Sequence, residues 1–112
     1  MALLLPWLRA FALTQLVEGP IYARTAKISW WKALVPSAVT HPFVWFVFPL
    51  LQEHGVSYLG MAAAAEAFAV LVEAALVARA FGVPGRRAFW ISVLANASSV
   101  AVGLVLREFG LV

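Results

Sequence analysis

Residues 56–81 read VSYLGMAAAAEAFAVLVEAALVARAF. The stretch is rich in Ala and Leu and does not alternate between apolar and polar side chains, so it reads as helix rather than strand. It exceeds the ~20 residues needed to cross about 30 Å of hydrocarbon. Glu66 and Glu73 interrupt it seven residues apart, two helical turns along one stripe.

Outward from this segment the same texture recurs in residues 2–23, 30–51 and 88–106. Breakers separate the four runs: the basic segment from Arg24 to Lys32, Gln52-Glu53-His54-Gly55, and Gly82-Val83-Pro84-Gly85. Strands of a membrane barrel would be about 10 residues long with strict alternation, and that pattern is missing. Hydrophobic residues make up 64% of the 112 residues and charged residues 12%. A soluble domain of this size would expose large apolar patches and aggregate, whereas lipid solvates them. The expectation is an all-α membrane protein, one transmembrane domain over residues 1–112 with four spanning helices and the bilayer as its first partner.

The net charge of +3 does not imply a nucleic-acid partner, because the eight Lys and Arg sit in short clusters between apolar runs. Without Cys there is no disulfide, thiolate metal site or thiol catalysis. Asp is absent too, leaving five Glu as the only carboxylate side chains. The first run is read as a span rather than a cleaved leader. It lacks a basic start, and Arg9 and Glu18 interrupt what would be its apolar core.

Arg24, Lys27 and Lys32 crowd the first loop and Arg79, Arg86 and Arg87 the third, while the second has no Lys or Arg. The positive-inside rule then puts the first and third loops in the cytoplasm and both termini outside, in a multi-pass protein of the bacterial inner membrane. Arg9 and Arg107 lie near outer ends and snorkel. Trp7, Trp30, Trp31 and Trp90 lie near span ends and are expected at the interface.

An ungapped offset of 55 residues aligns residues 7–55 with 62–110, with 13 identities in 49 pairs. That is more than an Ala- and Val-rich composition supplies by chance, and it points to duplication of a helical hairpin. The polar matches carry the argument: Glu18 with Glu73, Arg24 with Arg79, Ser37 with Ser92 and Glu53 with Glu108, while His41 meets Asn96. Both copies run outside, inside, outside, so they are parallel repeats about a pseudo-twofold axis along the membrane normal. Each matched Glu then lies about 9 Å from the cytoplasmic end, with His41 and Asn96 about 13 Å deep. Glu66 has no mate, because Phe11 holds its place.

Polar residues fall on one face of every helix: Thr14, Glu18 and Tyr22; Ser37 and His41 beside Thr40; Glu66 and Glu73; Ser92, Asn96, Ser99 and Gly103. Four such faces converge on a core or a water-filled path. Intramembrane acids are costly and mark pathways, proton relays or binding sites. Glu18, Glu73, Glu66, His41 and Asn96 are therefore the candidate site. Glu18, Glu66, Glu73 and His41 offer the donor set for a divalent metal as the one possible cofactor. The Glu-x-x-His spacing of di-iron bundles is absent, and no nucleotide loop, His-Glu-x-x-His or nucleophile elbow occurs. Pro36, Pro42 and Pro49 interrupt the second helix and free carbonyls, which either kink it for packing or ligate a cation.

Glu18-Gly19-Pro20 ending the first span, Thr40-His41-Pro42 in the second, Glu66 and Glu73 in the third, and Asn96 with Ser99 and Gly103 in the fourth resemble a group of small uncharacterised four-helix bacterial inner-membrane proteins. The resemblance implies the same polar positions and no particular activity. The functional expectation is a small membrane protein that binds or conducts a cation, proton or divalent metal, as a homodimer or higher assembly. The alternative is a structural or accessory subunit of a larger membrane complex. Neither reading calls for catalysis.

Overall fold

The structure, a computed structural model, describes residues 4–110. Four long helices account for nearly all of it: α1 (Leu4–Thr25), α2 (Trp30–Glu53), α3 (Tyr58–Phe81) and α4 (Gly85–Glu108). No strand occurs among the described residues. Each helix packs on its two neighbours in a ring, so that α1 and α3 hold opposite corners, as do α2 and α4.

By length and apolarity α2, α3 and α4 can each cross a membrane. α1 has 22 residues, about 33 Å of rise, and is long enough. Arg9, Gln15, Glu18 and Arg24 are spread along it, and it is not among the helices apolar enough to cross. Three apolar spans are therefore shown, one fewer than the sequence reading expects.

Local chemistry sets the ends. The Ser57 hydroxyl caps α3 by accepting from the Gly60 N–H at 3.0 Å. Gly82 ends α3 in the left-handed region at φ 73°, its N–H donating to the Val77 carbonyl, and Pro84 blocks continuation. Residues 26–29, 54–57 and 82–84 form the three loops, called loops 1 to 3. The Arg87 Nη2 donates to the Thr25 carbonyl at 2.7 Å, tying loop 1 to the start of α4.

The prolines of α2 do not break it. The helix is α-helical over Trp30–Pro42, widens into a π-turn over Phe43–Val47, and resumes at Leu50–Glu53. Pro42 and Pro49 have no N–H to give, and the widened turn is closed by the Phe48 N–H reaching the Phe43 carbonyl at 3.0 Å. Gly19 lets α2 come close to α1. A Cβ there would stand 3.1 Å from Leu34 Cδ2.

The best-packed core lies at the end carrying loops 1 and 3, where Tyr22, Ala33, Val77, Val83, Ala88, Ile91 and Ala95 are buried together. Trp30, Trp31 and Trp90 are exposed near that end, as expected of interfacial indoles. Trp7, near the start of α1, is half-buried: its ring stacks on Phe11 at 5.5 Å and lies near His41 and Phe46, and its Nε1 is buried without a hydrogen-bond partner. The i to i+4 spacing puts Trp7 and Phe11 on one face of α1.

Candidate functional site

Glu73 is the centre of the polar interior, at 1% exposure. Its carboxyl accepts hydrogen bonds from three other helices: Tyr22 of α1 on Oε1 at 2.8 Å, Thr40 of α2 on Oε2 at 2.7 Å, and Asn96 of α4 on Oε1 at 3.3 Å. One side chain thus joins all four helices. The Asn96 Nδ2 also donates to the Ser92 carbonyl at 2.9 Å, and the Ser92 hydroxyl to the Val70 carbonyl at 2.8 Å.

Glu18 is nearly as buried but has a simpler environment, accepting from the Ser37 hydroxyl at 2.8 Å. The two carboxyls come from opposite corners of the ring and line the same cavity. Helical periodicity explains the convergence: Glu18 and Tyr22 are one turn apart on α1, as are Ser37 and His41 on α2 and Ser92 and Asn96 on α4.

His41 is buried in an aromatic nest, with ring centroids of Phe11, Trp7 and Trp45 at 5.3, 6.1 and 6.2 Å. Its Nε2 is buried without a hydrogen-bond partner. Glu66, half-buried two turns from Glu73, completes the set. Glu18, His41, Glu66, Glu73 and Asn96 all line one cavity of about 180 Å³, with Thr14, Thr40 and Ser99 beside them. That volume equals about six water molecules at liquid density. The five residues singled out in the sequence are thus brought together by all four helices.

The metal expectation finds no support. Among the described residues no group of three or more His, Asp or Glu side chains is placed to hold a metal ion, so Glu18, Glu66, Glu73 and His41 share a cavity without forming a ligand set. The physical reason is visible in the bonding. Hydroxyl and amide donors occupy both Glu73 oxygens and a hydroxyl one oxygen of Glu18, and His41 is held among aromatic rings rather than against a carboxylate.

Sequence reasoning placed Tyr22, Ser37 and Thr40 on the polar faces but gave them no part in the site. Their role as donors to the acids was signalled only by spacing: Tyr22 follows Glu18 by four, and Thr40 precedes His41. No protein-family model matches the chain, and no curated protein or solved structure is significantly similar to it. The chemistry of the cavity is therefore read from its geometry.

Proposed function

We propose that this is a small four-span membrane protein that binds or conducts protons through the Glu18–Glu73 carboxyl pair, with Glu66, His41 and Asn96 completing the path. The observation that carries the reading is the shared cavity: five polar side chains from four helices meet around about 180 Å³ within a bundle whose outer faces are apolar. Two facing carboxyls can hold a shared proton. The hydroxyls of Ser37, Thr40 and Tyr22 supply neighbouring exchange sites. Buried ionisable groups of this kind serve as relays in membrane proteins.

α1 crosses with the others because it is packed between α2 and α4 over a comparable length. The duplicated hairpin, residues 7–55 and 62–110, is supported by matched burial. Glu18 and Glu73, Tyr22 and Val77, Ala33 and Ala88, Ser37 and Ser92, and His41 and Asn96 are all buried, and α1 faces α3 as a pseudo-twofold axis requires. The basic loops 1 and 3 lie on the cytoplasmic side of a bacterial inner membrane and both termini outside. Exposed Leu16, Leu71, Leu94 and Leu104 suit lipid or a second copy, so the working unit is a homodimer or part of a larger complex.

The test is proton flux in proteoliposomes holding a pH-sensitive dye. Wild type passes protons under an imposed potential, and Glu18→Gln with Glu73→Gln loses the flux while keeping its melting temperature. Equal flux in the double variant overturns the reading. A second reading draws on the saturation of Glu73, whose three donors make it helix cement for an accessory subunit. It is favoured if wild type carries no protons and Glu73→Gln alone unfolds the bundle.

A further inference from the structure

Six of the eight Lys and Arg lie toward loops 1 and 3; Arg9 and Arg107 stand at the opposite end, on α1 and α4. Both line the same groove, an opening of about 430 Å³ between those two helices. Leu13 and Val102 make apolar walls, and Trp45 of the π-turn lies against it. The groove has spare room at Gly103, where a Cβ would meet no atom within 4 Å. The volume falls in the range of small-molecule pockets.

The chemistry of the groove is amphiphilic. Guanidinium groups present planar forks of donors that match phosphate oxygens. A water-soluble anion would satisfy the arginines and gain nothing from an apolar trough open to hydrocarbon. A phosphate that carries an acyl chain matches both parts, and basic pockets between membrane helices hold lipid headgroups in this way. We propose that the α1–α4 groove binds one anionic phospholipid, its phosphate on Arg9 and Arg107 and one acyl chain along Leu13 and Val102. Thr14 and Ser99 line both the groove and the central cavity, so the bound chain forms part of the wall that separates the cavity from the bilayer.

The experiment is native mass spectrometry of the full chain from non-ionic detergent, titrated with phosphatidylglycerol or phosphatidylcholine. Wild type should retain phosphatidylglycerol about tenfold better. The double variant Arg9→Gln with Arg107→Gln should lose that preference, and Arg86→Gln with Arg87→Gln, at the other end, should keep it. Gly103→Leu, whose side chain projects into the groove from a position where a Cβ meets no atom within 4 Å, should also lose retention. Equal retention of the two lipids by wild type overturns the proposal, as does unchanged preference in the Arg9 and Arg107 double variant. Equal loss of preference in both arginine pairs reduces the effect to net charge and also overturns it. If Gly103→Leu changes the oligomeric mass and leaves lipid retention intact, the groove belongs to a second copy of the chain instead.

Discussion

At the end carrying loops 1 and 3, Tyr22, Ala33, Val77, Ala88, Ile91 and Ala95 pack into a continuous buried cluster, and Arg87 ties that end shut through the Thr25 carbonyl. At the other end the helices enclose a polar cavity and leave a groove between α1 and α4, with a π-turn and a nest of rings alongside the buried Met61, Ala65 and Ala69 of α3. The contrast follows from residue size. Alanines at helix contacts let backbones approach, while Trp7, Phe11, His41 and Trp45 hold them apart. Glu18 and Glu73 lie one turn from Tyr22 and Val77, at the boundary where close packing gives way to the cavity. The acids thus lie at the junction of the closed core and the cavity.

The largest expected effect breaks that boundary. Glu73→Leu removes the acceptor of three interhelical hydrogen bonds, each worth about 0.6 kcal/mol on average in a membrane bundle. It also strands the Tyr22, Thr40 and Asn96 donors, so a loss of about 2 kcal/mol or more is expected in detergent unfolding curves. Glu73→Gln sharpens the comparison. Its carbonyl oxygen still accepts from Tyr22 and Asn96, and its amide can donate to Thr40 Oγ1, whose own hydrogen turns to the Pro36 carbonyl. It should therefore unfold within about 0.6 kcal/mol of wild type, the worth of one such bond.

Next comes the contrast between the ends themselves. Ala88 is fully buried in the closed core, so Ala88→Leu should cost about 1–3 kcal/mol by overpacking. Gly103→Leu at the open end should cost less, because a Cβ there meets no atom within 4 Å. Equal destabilisation by the two leucines would erase the distinction between closed and open ends. The smallest effect is Tyr22→Phe. It deletes one of the three donors to Glu73 while keeping the ring in the core, and a loss of about 0.6 kcal/mol is expected from the same unfolding curves.

Glu18 and Glu73 also show where reading a sequence stops. The 55-residue offset equates them, yet the structure makes them chemically unlike. Glu73 meets Tyr22, Thr40 and Asn96, while Glu18 accepts from Ser37. The inequality arises because Val77 stands where a second Tyr22 would be, and Ala95 where a second Thr40 would be. Those substitutions are printed in the chain, but their meaning depends on which helix each side chain faces.

What the sequence determined by itself is whatever depends on one helix at a time. Apolar runs of spanning length, the breakers between them, the basic character of loops 1 and 3 and the polar face of each helix all follow from composition and the 3.6-residue period. Three of the four runs are long and apolar enough to span a membrane, and the helix boundaries fall within about three residues of those expected. Tertiary structure decided everything that depends on pairs of helices. It made Glu73 rather than Glu18 the hub, left Glu18, Glu66, Glu73 and His41 unassembled as a metal site, set Trp7 near His41, and opened the groove beneath Arg9 and Arg107. Periodicity names the face a side chain occupies but not the neighbour that meets it. In a bilayer, where apolar burial is nearly indifferent to which helix is adjacent, that choice falls to van der Waals fit and a few interhelical hydrogen bonds.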